Sequence, residues 1–390
     1  MKELAIFTGI INKNSRLWLL CMMVGLCTCM NAQNEKGISR LAKKVATFID
    51  SLSVRGLDRR YIDAPEKPWQ IILQGNFNQS DLKMKTVIDG KAMFDETWGD
   101  INWEPRIKTP VKSYVGVWAG YRGYGIGYSR DVSGKKGSIF SVGVTGSYYG
   151  ANLRIHQFTS SEPMVHLSGY MPNWEEDTES YELIDPIKVR SMTLDAFYFF
   201  NRKRFSNAAA YDQSVIQKRS SGSFMVGAKY YHSTVRYDEG KNADFIMFMN
   251  DIGRMKQYQV SIGGGYAYNL VPYKGLLVSA QVMPMLICYN RLNIWRYSSL
   301  LREKMYEDKS NPSTEEIADL EQLFQLQYTG REHMHTKPSL MFNARLSLTY
   351  NIDRWFFNAN GHWQRFSYRL HEGHGNLTDW YVNASVGIRL

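Results

Sequence analysis

Seven polar residues fall where they could face one another across an enclosed space. Arg154 and His156, Asp195, Lys229, Arg345, His362 and Asn383 lie in six segments that alternate apolar and polar side chains. A strand points successive side chains to opposite faces, so each residue shares a face with the other polar members of its segment. Asp195 and Lys229 are on successive segments and can pair. Arg154, Lys229 and Arg345 together would offer a cationic lining to a small solute. A second possible chemistry is lipid hydrolysis, which needs a nucleophile, a base and an orienting group within reach of one another. His232 and His156 are the candidate bases, and the hydroxyls around Ser220, Ser221, Ser223 and Ser233 are the candidate nucleophiles. His232 and Ser233 are adjacent in a strand and point apart, so any partner must come from another strand. No complete constellation is visible, and a non-enzymatic role is expected.

Four further histidines lie between the alternating segments: His333 and His335, then His371 and His374, with Glu332, Glu372 and Asp379 nearby. Imidazole suits zinc or copper, but a metal site needs fixed geometry. The plainer reading is polar loop residues facing lipopolysaccharide, so no metal and no cofactor is expected. Gly123, Gly125 and Gly127 look like a phosphate cradle only superficially. They alternate with Tyr124, Ile126 and Tyr128, whereas a phosphate loop follows a strand and opens a helix. A glycine face of this kind lets the sheet curve or an inward neighbour approach.

The elements that must position these residues are strands. Period-two alternation predicts twelve of them, over residues 68–78, 112–120, 123–131, 138–148, 150–159, 188–200, 222–236, 256–269, 274–289, 338–350, 354–369 and 379–390. In the last, Trp380, Val382, Ala384, Val386, Ile388 and Leu390 share one face. One greasy face and one wet face suit the wall of an all-β, twelve-stranded antiparallel transmembrane β-barrel. Aromatics make up 14% of the chain, with 25 Tyr and 10 Trp, and two interfacial girdles would use them. Barrels of about eight strands fill with side chains and those of about sixteen hold water, so twelve leaves both a filled lumen and a solute channel open. Short connections at 271–273 and 351–353 contrast with long ones at 79–111, 160–187, 237–255 and 290–337. The alternation of short and long holds if 201–221 is a periplasmic excursion. Within 290–337, Ser313 and Glu316 form a capping box ahead of Ile317, Leu320, Leu323 and Phe324, which predicts a helix.

Residues 1–32 read as a secretory signal, with Lys13 and Arg16 ahead of an apolar stretch at 17–29 that is short for a membrane helix. Residues 33–66 read as a periplasmic segment whose 37–52 stretch is an amphipathic helix, with Ile38, Leu41, Val45, Phe48, Ile49 and Leu52 on one stripe. Residues 67–390 form the barrel, with both of its ends in the periplasm. Of four cysteines, only Cys288 lies beyond residue 32, so no disulfide staples the mature chain. The net charge is +10. For an exported chain this excludes nucleic acid as a natural partner and points to lipid phosphates. The expected partners are the lipid bilayer, lipopolysaccharide and the barrel-assembly machinery.

Several motifs resemble a domain-of-unknown-function family of outer-membrane β-barrel proteins common in Bacteroidota. They are Tyr61-Ile62 with Pro65 and Trp69, Trp103 with Pro105, Val115-Gly116, and the glycine–tyrosine run at 120–129. The most recognisable are Asn201-Arg202-Lys203-Arg204-Phe205-Ser206, Gln217-Lys218-Arg219-Ser220-Ser221-Gly222-Ser223 and Gly263-Gly264-Gly265-Tyr266. The resemblance spans residues 61–390, apart from 290–337. It implies the barrel and transfers no catalytic residue. The leading function is therefore structural or surface-binding, through long extracellular loops. The alternatives are a small-solute channel and, by comparison with the twelve-stranded outer-membrane phospholipases and lipid A deacylases, a lipid hydrolase.

Overall fold

The computed structural model describes residues 56–89, 100–133, 136–146, 148–168, 177–180, 182–183, 185–238, 242–249, 251–299, 325–335, 338–369 and 373–390. Twelve antiparallel strands make the wall. The first six are β1 (Trp69–Asp89), β2 (Lys112–Tyr121), β3 (Tyr124–Asp131), β4 (Gly137–Thr145), β5 (Tyr149–Ser160) and β6 (Ile187–Phe199). The rest are β7 (Ser221–Arg236), β8 (Ile252–Leu270), β9 (Leu276–Ser299), β10 (Ser339–Ile352), β11 (Trp355–Arg369) and β12 (Gly373–Arg389). Each pairs with the next, and β12 returns to β1 from Arg389↔Gln70 to Gly373↔Thr86. The ring is closed, so no wall strand has a free edge.

Alternation decides which face is which. Along β10, Leu346 is 63% exposed and Leu348 48%, while Met341 and Thr349 are fully buried. The same division runs around the ring, with Ile71, Val117, Ile126, Val226, Ile262 and Phe357 among the exposed apolar residues. An apolar belt closed on itself far exceeds the patches a water-soluble surface carries. In lipid, every backbone polar group must be paired within the protein, and a closed barrel achieves this. Trp355 and Trp363 both face outward on β11. Their eight-residue separation spans about 26 Å along a strand, close to the height of a membrane barrel's apolar band.

One end carries short turns, at 122–123, 271–275 and 353–354, and both ends of the ring, where Trp69 and Leu390 exchange backbone hydrogen bonds. At this end Arg122 (φ 51°) and Gly123 (φ +90°) form the left-handed β2–β3 turn. A Cβ on Gly123 would meet the Thr145 carbonyl at 2.4 Å.

At the other end the wall grows taller, and here the expected loops need correcting. β1 continues to Asp89 and pairs with a returning strand, Asp100–Lys108. That strand pairs with Met164–Ser168, which pairs with Asp177–Ser180. β9 continues to Ser299 and pairs with Leu326–His335. Much of 79–111 and 290–337 is thus strand rather than loop. Beyond the hydrocarbon both faces meet water, so the apolar alternation fades while backbone pairing continues. Asp81, Lys83 and Lys85 mark this change on β1, with Arg106 on Asp81 and Lys85 on Glu104 as cross-strand ion pairs. The predicted helices at 37–52 and 313–324 and the signal at 1–32 lie outside the described residues.

The glycine face of β3 has a definite cause. Trp118 on β2 points inward and lies across the inner wall. A Cβ on Gly125, Gly127 or Gly143 would come within 2.8, 2.6 and 2.8 Å of its indole ring. The glycines make room for that ring, and no helix follows to make a phosphate loop.

Candidate functional site

The expected excursion between β6 and β7 turns back into the lumen. Ser206 caps a short helix, α1 (Asn207–Tyr211), accepting the Ala209 N–H at 3.3 Å. Ala208, Ala209 and Ala210 are buried, and their small side chains let a helix fit inside the ring. Five strands hold the segment 206–213. The Ala210 carbonyl accepts from Ser347 Oγ on β10 (2.6 Å) and Asn358 Nδ2 on β11 (3.0 Å). Gln281 Nε2 on β9 donates to Asn207 Oδ1 at 2.6 Å, and Asn269 Nδ2 on β8 donates to the Ser206 carbonyl at 2.8 Å. Arg389 on β12 donates from Nε and Nη2 to the Gln213 carbonyl at 3.2 and 3.0 Å, fixing a residue in the left-handed region (φ 59°). Beneath the helix, Ile62–Asp63 pairs with Ile216–Gln217, and Ile62, Val215, Leu277, Leu57 and Tyr61 pack against its alanines. This plug occupies the short-turn end of the lumen. Burial pushes the Asp212 carboxyl, at the end of α1, up to about 6.

Above the plug lies a polar network containing the seven predicted lumen residues, all on inward-facing positions. Asp195 and Lys229 sit directly opposite in the β6–β7 register, Nζ to Oδ1 at 3.3 Å. Arg345 reaches the same carboxylate from β10, Nη2 to Oδ2 at 3.0 Å, a tie across the lumen that strand order alone does not reveal. Lys229 Nζ also donates to Gln364 Oε1 at 2.5 Å. Arg154 Nη2 donates to Asn78 Oδ1 at 2.5 Å and its guanidinium sits 4.0 Å over the Tyr381 ring. His362 Nε2 meets Asn343 Oδ1 at 2.8 Å, and Asn383 Nδ2 donates to Asn76 Oδ1 at 3.0 Å. His156 Nε2 meets Tyr114 Oη at 2.8 Å. Arg154, Lys229 and Arg345 are thus each engaged by internal partners. Beside them, inward Phe197, Met225, Met283, Met285, Met341 and Phe366 form an apolar cluster. Methionine suits such irregular gaps; strand periodicity does not distinguish this cluster from an apolar outer face.

Among the described residues, the lumen holds three cavities of note. One of about 160 Å³ lies against the plug residues Asn207, Asp212 and Gln213. A polar one of about 120 Å³ is bordered by Asn78, Arg154, Asp195, Arg345 and His362. The third, of about 150 Å³, lies toward the taller end and is lined mainly by apolar side chains.

The hydrolase candidates are not brought together. His156 faces the lumen, whereas His232 is on the opposite parity from buried Tyr231 and Ser233 and faces outward. His232 stacks on Tyr258 at 4.4 Å, with Nδ1 2.8 Å from the Gln257 carbonyl. The wall stands between the two histidines. Among the metal candidates, His333 contacts Asn293 Oδ1 (2.6 Å) and Arg291 (3.2 Å), His335 lies beside Tyr289, and His374 pairs with Lys85 in the β12–β1 register. His371 lies outside the described residues. Among the described residues no three potential ligands converge.

A basic row on the outer face was not anticipated from the sequence. In register across four wall strands and the strand Leu326–His335 run Lys188, Arg236, Arg254, Trp295 and Arg331. The guanidinium groups of Arg254 and Arg331 each lie 4.7 Å from the Trp295 ring, and Lys256 Nζ lies 5.5 Å from it. Arg236 also pairs with Asp238 at 2.6 Å. The outward aromatics Tyr258 and Tyr289 sit on these same strands, closer to the middle of the wall. Only pairing registers reveal such a row, because its members are far apart in sequence.

A closed ring with an apolar outer belt, a polar interior and two aromatic levels defines an integral β-barrel of the outer-membrane type. The sequence matches the family described as "Domain of unknown function (DUF4421)" over residues 58–388, and the chain belongs to it. No curated protein matches the chain. Among solved structures, it is similar to the outer membrane protease OmpT from Escherichia coli, at 8% identity over 83% of this chain and 97% of that one, TM-score 0.35. It is similar to the outer membrane protein OprG from Pseudomonas aeruginosa at 10% identity, over 83% and 96%, TM-score 0.27. The Pseudomonas putida toluene transporter TodX is 9% identical over 84% and 90%, TM-score 0.29. Similarity at this depth transfers no activity.

Proposed function

We propose that this protein is a non-conducting outer-membrane barrel that works as a surface-binding scaffold, with its plugged end in the periplasm and its taller end outside. The plug carries this reading: five wall strands hold the segment 206–213 by side-chain hydrogen bonds, and the lumen cations are spent on Asp195 and on neutral partners. The orientation follows the rule that short turns are periplasmic, which also puts both ends of the ring there. On that reading the basic row lies at the headgroup level of the outer leaflet. Three cations around one indole repel one another unless anions intervene, and lipopolysaccharide supplies phosphates at that height. A Bacteroidota origin, implied by the motifs at 201–206 and 217–223, and insertion by barrel-assembly machinery belong to the same reading.

Planar-bilayer recording tests it. The intact protein should give no salt-dependent current steps, and replacing 206–214 with a glycine–serine linker should create them. Ohmic steps from the intact protein, scaling with salt, would favour a channel and overturn the proposal. The lipid partner is tested separately. Arg254→Glu with Arg331→Glu should abolish co-purification of lipopolysaccharide; undiminished retention would remove that partner.

A further inference from the structure

The cavity at the taller end differs in kind from the other two. Its walls are Leu82 on β1, Phe158 on β5, Val189 on β6, Val235 on β7 and Leu292 and Ile294 on β9. Several of its lining residues also pack against the apolar cluster of Leu183, Phe245, Ile246 and Met249, which contains the short helix α2 (Ala243–Phe248). A mainly apolar cavity of about 150 Å³ is large enough for a benzene-sized molecule.

The lining also holds two hydroxyls with no hydrogen-bond partner among the described residues. Ser160 Oγ and Tyr237 Oη are unpaired, on residues 0% and 2% exposed. Ser160 is the register partner of Ile187, and Tyr237 follows Arg236, the partner of Lys188. The two residues therefore flank Ile187 from the strands on either side. A buried hydroxyl left unpaired costs free energy, and an incoming acceptor removes that cost. Phe158, Val189, Tyr231 and Asp379 border both this cavity and the polar one.

We infer that this chamber is a binding site for a small apolar molecule, a single ring or short acyl chain, carrying one hydroxyl or carbonyl that pairs with Ser160 or Tyr237. The apolar walls supply affinity and the two hydroxyls fix orientation, the usual division in small-molecule pockets.

The test uses the full chain in lipid nanodiscs and follows 4-fluorophenol and fluorobenzene by ¹⁹F NMR, with empty nanodiscs as the blank. Both probes should bind saturably, and Val235→Trp, which fills the chamber, should abolish both. Leu292→Phe, filling from β9, is the second filling variant should Val235→Trp fail to fold. Ser160→Ala with Tyr237→Phe should weaken 4-fluorophenol about fivefold, the worth of one hydrogen bond, and leave fluorobenzene unchanged. No saturable signal above the blank overturns the site. So does binding that survives a folded filling variant, which is bilayer partitioning. Equal loss of both probes in the hydroxyl double variant overturns the orienting role.

Discussion

Asp195 holds two cations at once, so its removal should cost more than removal of either partner. Lys229, Asp195 and Arg345 side chains are 1%, 9% and 8% exposed, so all three are largely out of water. In Asp195→Asn, Arg345 loses its carboxylate and Lys229 keeps only Asp379, reached through Gln364, while the two buried cations repel each other. Leaving a buried charge uncompensated costs about 3–5 kcal/mol. The amide keeps one acceptor oxygen, which places the expectation near the lower end, at about 3 kcal/mol. Lys229→Met leaves Asp195 with Arg345 and fills the space with an apolar chain, so it should cost about 1–2 kcal/mol. In the double variant only Arg345 is left unpaired, and the loss should be smaller than the sum of the singles. Reversible urea unfolding in lipid vesicles, followed by tryptophan fluorescence, measures all three. A cost below about 0.5 kcal/mol for Asp195→Asn, the range of an ordinary surface substitution, would refute the reasoning. So would a Lys229→Met variant less stable than Asp195→Asn.

Gly127→Ala puts a methyl against the Trp118 ring and should cost about 1–3 kcal/mol of unfolding free energy; adding Trp118→Leu should restore most of it, and no restoration would disprove the contact. Arg389→Ala strips the Gln213 carbonyl of two donors and Asn351 of one. It should lower unfolding free energy by about 2–3 kcal/mol and give brief current steps in bilayers; unchanged stability would count against the plug's anchoring. Asp212 supplies a pH dependence. Its folded value is raised to about 6 from an ordinary 3.8, so the folded state retains a proton that the unfolded state has lost between those limits. This contribution is complete at the acid end of the window and disappears as pH climbs through about 6. Asp212→Asn, which mimics the protonated form, should therefore gain stability over the parent more at pH 7 than at pH 5. A gain independent of pH would exclude this role.

The wall was legible in the sequence because lipid on one side and a polar interior on the other impose a period of two. Leu346 against Arg345, and Phe357 against Asn358, could be assigned to faces from that alone. The seven lumen residues followed from the same parity. The plug was not legible, since Ser206 and the three alanines after it read as a polar connection until Asn358, Ser347 and Arg389 are seen to hold it. Arg345 reaching Asp195 across the lumen, and the basic row built from four strands and their neighbour, depend on ring closure and register. The taller end escaped because the alternation of Leu73 and Phe77 gives way to charges after Ser80, where water meets both faces although the backbone still pairs.

The central claim is that one face of every wall strand meets lipid. The direct measurement places single cysteines at each position from 71 to 77, in a background where the exposed Cys288 and also Cys21, Cys27 and Cys29 are replaced by Ser. A fluorescent label on each is then tested for quenching by nitroxide-bearing lipids. Labels at 71, 73, 75 and 77 should be quenched, and those at 72, 74 and 76 should be unreactive or unquenched. Uniform quenching along the strand, or none at any position, would contradict the barrel as described.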